Sequence, residues 1–300
     1  MKRRSICTLL LSLLLLFALP LSALAAGKGA SVAPVKYVSI GDSVASGMSA
    51  SLDNSFYSKF SKYLAAKALT ANVLYSSANT AYPGLTTTQL KDEVLGSTST
   101  TLTRTELAGA TIVTVNVGGN NLMYPLINYV ATLYNVETAP EETFMARISA
   151  AVNADSTKLS NAMMWQMLLP NSQLKLAFAA GVKDFKSDLP VIVSGIKKLS
   201  PSAKIYFLNQ YNPLYGNAQL RSFINGYIVQ MNYELKARTT TYGYTLVDVY
   251  TAFNAYTGTL PLVGFNMAAT PPTFDPHPTD AGHQVIYNLL VSASTQPVRK

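Results

Sequence analysis

The segment Lys36–Gly47, KYVSIGDSVASG, sets the architecture of this 300-residue chain. Lys36–Ile40 is rich in β-branched and aromatic residues, which is typical of a strand buried in a sheet. Gly41 then allows a sharp turn, and Asp42 and Ser43 stand where a helix would begin. Open α/β sheets bind ligands at the carboxyl ends of their strands. We therefore expect an α/β fold with Ser43 exposed at that edge, although either polar residue could serve only as a helix cap.

Four more runs of the same kind follow along the chain. They are Asn72–Ser76, Thr111–Val117, Lys204–Asn209 and Tyr244–Val249. Stretches with helical periodicity lie between them, at Phe56–Leu69, Val182–Leu199 and Gln219–Arg238. Because strands that alternate with helices form a parallel sheet with helices on both faces, the pattern predicts one such sheet.

The gap between the third and fourth runs is unusually long, at about ninety residues. Within it, Tyr124–Tyr134, Phe144–Val152 and Leu159–Leu169 are typical of helices. No Gly/Ser-rich linker or block of charge marks a second domain there. We therefore predict a helical insertion, over about residues 123–185, inside a single domain that spans 36–300.

The N-terminus has the features of a secretory signal peptide. Basic residues at positions 2–4 precede the apolar run Leu9–Leu21, and Ala23-Leu24-Ala25 offers a small-residue cleavage site. We expect residues 1–25 to be removed and 26–35 to form a short leader. The mature protein is then expected to be extracellular.

Composition restricts the partners of the mature chain. Hydrophobic residues make up 49% and charged residues 13%, which excludes a disordered protein. Cleavage would remove the only cysteine and three of the 23 basic residues but none of the 15 acidic ones, leaving a net charge of +5. The basic residues are scattered, which argues against nucleic acid. We expect a monomer with at most peripheral contact with a cell surface or membrane.

The two histidines, His277 and His283, restrict the chemistry. Sites with three histidines are excluded, and no HExxH-type spacing is present. A serine nucleophile needs a histidine base, and that base needs a carboxylate on its other nitrogen. Asp275 stands two residues before His277. Prolines on both sides of His277 stiffen the segment. His283 opens an apolar stretch, which favours a packing or capping role.

Two other strand ends carry residues suited to stabilising an anion. Gly84 follows the second run, and Gly118-Gly119-Asn120-Asn121 follows the third. A glycine can present its backbone N–H to a ligand, and an asparagine amide donates hydrogen bonds. Both segments could equally be ordinary turns.

Taken in order, these four segments resemble the motifs of the SGNH (GDSL-type) hydrolase family. The resemblance implies a three-layer α/β/α sandwich, flavodoxin-like, with a five-stranded parallel sheet in the order 2-1-3-4-5. It places Ser43 on the nucleophile and Asp275 and His277 on the rest of the triad. Ser43, Gly84 and Asn120 would form the oxyanion hole, with no metal or organic cofactor. The chain departs from the family pattern at Val44, where leucine is usual, and at Asn121, where aspartate is usual.

The resemblance further implies a serine esterase or lipase acting on a small-molecule or lipid-like ester. Lys204–Pro213 and Tyr242–Asn254 resemble the secreted Bacillus-type lipase/acylhydrolase branch, which implies a Gram-positive source. Two alternatives stay open, namely a carbohydrate O-deacetylase and a non-catalytic module that binds glycan or lipid. An intact triad argues against the second alternative.

The insertion supplies candidate substrate-binding residues. Met163 and Met167 belong to an apolar helical stripe, and Trp165, the only tryptophan, lies beside it. Flexible methionines suit a surface that accepts varied chains. We expect Trp165, Met163 and Met167 to border an acyl pocket, although the stripe could simply pack on the sheet.

Overall fold

A computed structural model describes residues 33–99, 101–137, 141–155, 157–160, 171–214, 218–266 and 273–296. The predicted signal peptide, and Met163, Trp165 and Met167, lie outside the described residues. Within the part described, no helix combines the length and apolar character needed to cross a membrane.

Five parallel strands form the central sheet. They are β1 (Val35–Gly41), β2 (Tyr75–Asn79), β3 (Ile112–Asn116), β4 (Lys204–Leu208) and β5 (Thr245–Val247). Their order is β2-β1-β3-β4-β5, and every pair is parallel. Both the fold class and the strand order predicted from the sequence are confirmed.

Helices follow the strands and pack on both faces of this sheet. They are α1 (Ser43–Ser46), α2 (Phe56–Thr70), α3 (Thr87–Leu95), α4 (Leu102–Leu107), α5 (Gly119–Leu133), α6 (Glu141–Ala154), α7 (Thr157–Ser160), α8 (Ser172–Leu199), α9 (Ala218–Tyr242), α10 (Val249–Asn254) and α11 (Asp280–Thr295). Helix α11 packs against α2 and α10, whereas α8 packs against α3, α5 and α9.

The side chains of β1 show that both faces of the sheet are covered. Tyr37 is fully buried, with its ring stacked on Tyr57 and edge-on to Phe60 of helix α2. Val38 and Ile40 are equally buried, and because side chains alternate along a strand they point to the opposite face. Burial on both faces leaves the end of β1 as the place where its polar side chains can meet a ligand.

A two-stranded antiparallel hairpin lies near the C-terminus, where the sequence indicated only a stiff segment. It consists of β6 (Val263–Asn266) and β7 (Thr273–Pro278). Prolines are tolerated in β7 because a strand with one neighbour has an edge that needs no ladder donors. The hairpin carries Asp275 and His277, so both residues are held by strand pairing.

Candidate active site

The turn after β1 places Ser43 at the carboxyl edge of the sheet. Gly41 has φ +132°, and a Cβ there would lie 1.8 Å from the carbonyl oxygen of Asn116. Only glycine fits such a position. Asp42 caps helix α1 by accepting a hydrogen bond from the Val44 N–H at 3.1 Å. Ser43 is therefore the first helical residue, as the sequence predicts, and the capping role falls to Asp42.

Ser43, His277 and Asp275 are joined by two hydrogen bonds. His277 Nε2 lies 2.8 Å from Ser43 Oγ, and His277 Nδ1 lies 2.5 Å from Asp275 Oδ1. The same carboxylate oxygen accepts the backbone N–H of His277 at 3.0 Å. Because a carboxylate only accepts, Nδ1 carries the proton, which leaves the Nε2 lone pair facing the serine hydroxyl. The structure thus brings together the three residues predicted as the triad.

The other oxygen of Asp275 binds Ser49, a residue that the sequence reasoning missed. Ser49 Oγ donates to Asp275 Oδ2 at 2.5 Å. Burial raises the pKa of Asp275, but the hydrogen bonds from His277 and Ser49 outweigh burial and lower the pKa to about 2. No motif marked Ser49, since it lies 226 positions from its partner.

Asn120 lies beside Ser43 and His277 in a small pocket. Its side-chain amide donates one hydrogen bond, to the carbonyl oxygen of Leu85 at 3.0 Å. A primary amide has two protons, so the bond to Leu85 fixes the group and leaves a second proton for a ligand. This geometry suits an oxyanion donor.

Gly84 immediately precedes Leu85 in the same turn. Its φ is +86°, and a Cβ there would lie 2.7 Å from the Tyr124 hydroxyl oxygen. The described lining of the small pocket does not include Gly84. The structure thus ties the Gly84 turn to Asn120 through Leu85, while the predicted oxyanion role of Gly84 remains a prediction.

Asn121, which departs from the family pattern, is buried behind the pocket. Its side-chain oxygen accepts the Thr87 N–H at 3.0 Å. Its amide nitrogen donates to Thr87 Oγ1 at 2.8 Å and to the Gly181 carbonyl at 3.2 Å. These three contacts use both the oxygen and the nitrogen of the side-chain amide, so Asn121 holds the start of helix α5 against helices α3 and α8.

The other histidine is fully buried and takes no part in the pocket. His283 Nδ1 accepts the Phe56 N–H, and its Nε2 faces the Met48 carbonyl, both at 3.3 Å. Burial lowers the pKa of His283 to about 4, despite the opposing effect of the Met48 carbonyl. The imidazole is therefore neutral near pH 7, in agreement with the packing role expected from its apolar context.

Asp42 is another buried group whose pKa is displaced. Burial raises its pKa to about 7, while the Val44 N–H and the nearby His277 act in the opposite direction. Asp42 lines the small pocket, of about 60 Å³, together with Gly119, Gln210 and Pro276. Among the described residues, no three His, Cys, Asp or Glu side chains cluster as a metal site.

Comparisons with solved structures agree with this fold. A lipase from a goat rumen metagenome superposes with a TM-score of 0.54 at 16% identity, covering 88% of this chain and 100% of its own. An extracellular lipase from Streptomyces rimosus gives a TM-score of 0.55 at 19% identity, covering 86% and 99%. At such identities the similarity shows the fold alone.

Sequence comparison with curated proteins gives no significant match. The model of the GDSL-like lipase/acylhydrolase family, however, matches residues 39–285. That match spans most of the chain and includes every described residue that lines the small pocket. The chain belongs to the GDSL-like lipase/acylhydrolase family and is a carboxylic ester hydrolase.

Proposed function

We propose that this chain hydrolyses carboxylic esters through an acyl-enzyme on Ser43. One observation carries the proposal, namely the unbroken line of hydrogen bonds from Ser43 Oγ through both ring nitrogens of His277 to Asp275. In that line the imidazole accepts the serine proton at Nε2 while the carboxylate holds Nδ1–H and stabilises the imidazolium that forms. No other base is needed for the first step.

The reaction proceeds in two halves. Ser43 Oγ attacks the acyl carbon as His277 takes its proton, and the imidazolium then protonates the departing alcohol. Water, deprotonated by the same imidazole, attacks the acyl-enzyme and releases the acid. In both halves the Asn120 amide and the backbone N–H groups of Ser43 and Gly84 would hold the oxyanion. A single such donor typically contributes a factor of about 10² to 10³ in rate.

The variant Ser43→Ala tests this mechanism. We expect hydrolysis of p-nitrophenyl acetate to fall by at least about 10³-fold, because the nucleophile is gone while the fold is kept. Ser46→Ala is the matched control, since it removes a hydroxyl from the same short helix whose only described bond goes to the Ser43 carbonyl. If Ser43→Ala retains more than about a tenth of wild-type kcat, the serine mechanism is wrong.

We also propose that the enzyme acts outside the cell as a monomer after loss of residues 1–25. The basic start, the apolar run and the Ala23-Leu24-Ala25 site support this processing. Mass spectrometry of the protein recovered from culture medium should find Ala26 at its N-terminus, and light scattering should give the mass of one chain. A full-length protein retained in cells would contradict the proposal.

A further inference from the structure

A cavity of about 480 Å³ lies next to the small pocket. We propose that it binds the acyl chain of the substrate, so that the preferred esters carry medium-length or long hydrocarbon chains. This inference rests on the proposed function. The cavity is lined from three sides, by Val130 of helix α5, by Ile148 and Val152 of helix α6, and by Phe265 and Phe274 of the hairpin. Its volume is in the range of sites for small molecules.

Helix α5 connects the reacting atoms with the cavity. Asn120 and Met123 line the small pocket, and Met123, Ile127 and Val130 line the cavity. These four residues recur at spacings of three or four, so they share one face of the helix. From Asn120 to Val130 the helix rises about 15 Å. That length is comparable with an extended dodecanoyl chain, whose carboxyl end would lie at Ser43.

The chemistry of the lining favours a hydrocarbon. Of the described residues that surround the cavity, ten are apolar and none is cationic. Ser149, Asn153 and Thr273 are neutral, and the one charged group, Asp275, already belongs to the triad. A phosphate headgroup would lack a counter-charge, and a sugar would leave many hydroxyls without partners. An acyl chain needs neither.

Chain-length profiles of Val130→Phe test the proposal. The wild-type protein should hydrolyse p-nitrophenyl octanoate and dodecanoate with higher kcat/KM than the acetate, by up to about fourfold for each added methylene. The larger ring at position 130 should fill the cavity and lower kcat/KM for dodecanoate by about tenfold or more. Acetate, which does not reach Val130, should react within about twofold of wild type.

Val291→Phe is the matched control. Val291 is also a half-buried valine on a helix, α11, but it does not line the cavity. It should leave the chain-length profile unchanged, whereas an identical change in both variants would indicate general destabilisation and overturn the proposal. A wild-type preference for the acetate, or for acetylated xylan, would also overturn it. Loss of all activity in Ser43→Ala together with any of these results would leave the serine mechanism standing.

A different observation supports a second inference, about Ser49. This residue has φ +66°, a backbone region that is unfavourable for most side chains, and its hydroxyl donates to the triad carboxylate at 2.5 Å. The neighbouring Ser51 is held by Asp280 through its N–H at 2.8 Å and its hydroxyl at 2.6 Å. We infer that Ser49 is a positioning residue that orients Asp275 and shares its negative charge.

Removing the hydroxyl should make the carboxylate a stronger acceptor for His277. The imidazolium is then stabilised, so the rising limb of kcat/KM against pH should move to higher pH. The other ionisable groups that act on this ring are Asp42, from the turn after β1, and His283, from helix α11. The described hydrogen bond of the Ser49 hydroxyl goes to Asp275 and to neither of these two groups.

Two variants distinguish a positioning role of Ser49 from a purely structural one. Ser49→Gly removes the donor and keeps the left-handed backbone, whereas Ser49→Asn keeps both a donor and a residue that tolerates this conformation. We expect Ser49→Gly to lower kcat several-fold and shift the pH profile upward, and Ser49→Asn to restore most of both. If Ser49→Gly shows the wild-type profile, or if both variants behave alike, Ser49 has no positioning role.

Discussion

Two layers of the molecule use the same kinds of side chain for opposite purposes. The reaction face consists of Ser43, Asn120 and His277, which line the small pocket. The support layer consists of Asn121 and His283, which are buried and do not line this pocket. Each polar group of the support layer is bonded to backbone or to a neighbouring hydroxyl. In the reaction face, by contrast, the Ser43 hydroxyl is bonded to a base, His277, and the Asn120 amide has a second proton beyond the one bonded to Leu85.

The two histidines show why the two layers differ in reactivity. His277 has 16% of its side chain exposed, and its Nε2 lone pair faces a hydroxyl that can give up a proton. His283 has no exposure, and its Nδ1 faces a backbone N–H that cannot. Reactivity in this fold therefore depends on the partner and on access to the pocket, because the imidazole itself is the same.

The largest expected effect comes from replacing each of the two histidines in turn. His277→Ala should lower kcat for p-nitrophenyl esters by about 10⁴-fold, because the base is lost, and should change unfolding little. His283→Ala should keep kcat within about tenfold but lower the free energy of unfolding by about 3 kcal/mol, since it leaves a void and two unpaired backbone groups. Initial rates and urea unfolding measure both. The reverse pattern would mean that the two layers are wrongly assigned.

The next effect concerns the two adjacent asparagines. Asn120→Ala should lower kcat by about 10²-fold with KM little changed, because the amide acts on charge that exists only in the transition state. Steady-state kinetics with p-nitrophenyl butyrate gives both constants. An unaltered kcat would remove Asn120 from the reaction face.

Asn121→Asp is the corresponding change in the support layer. A carboxylate cannot donate to the Gly181 carbonyl, and the Thr87 hydroxyl already donates to Asp188 at 3.0 Å. We expect the variant to lose about 2 to 3 kcal/mol of unfolding free energy. Its kcat, corrected for folded protein, should fall less than that of Asn120→Ala. A variant as stable as wild type would show that this buried position accepts the aspartate usual in the family.

The smallest expected effect is on the wild-type protein, in which the pH dependences of two buried groups oppose each other. His283 has a folded pKa of about 4 against an ordinary 6.5, so its contribution to stability is full above pH 6.5 and is lost as pH falls toward 4. Asp42 has a folded pKa of about 7 against 3.8, so its contribution is full below pH 3.8 and is lost as pH rises toward 7. Between these limits the two contributions largely cancel.

Replacing either His283 or Asp42 should reveal the pH dependence that the remaining group gives to the free energy of unfolding. In His283→Gln the free energy of unfolding should fall as pH rises from about 4 to 6.5, by at most about 1.4 kcal/mol for each pH unit. In Asp42→Asn, which keeps a capping side chain, it should rise over the same interval. Urea unfolding at a series of pH values tests both, and parallel curves for the two variants would contradict the assignment.

Strands were easiest to predict where both faces of the sheet are buried. β1, β3 and β4 lie within one or two residues of the predicted runs. The run Asn72–Ser76 is displaced from β2, because Asn72 has φ +52° and Val73 closes the end of helix α2. β2 itself is an edge strand with polar, partly exposed residues, so it lacks the apolar signal.

The same reasoning explains what was missed around the site. Ser43 and Asn120 follow from motifs at strand ends, and His277 follows from a proline-flanked motif near the C-terminus, all of which local sequence reveals. The hairpin that carries His277 depends on pairing with β6, and the prolines in β7 argued against a strand. Helix α8 begins at Ser172, ten residues before the predicted start at Val182. Ser49 is defined only by tertiary contact.

The triad spans nearly the whole chain, since Ser43 and His277 are 234 positions apart. Such a contact closes a very long loop, and contacts of this kind form late in folding. In the proposed mechanism, a growing or unfolded chain therefore holds its nucleophile without its base, and esterase activity is expected only once the C-terminal hairpin packs against helix α1. The time at which hydrolysis of a chromogenic ester begins during refolding thus reports the completion of folding, with no added label.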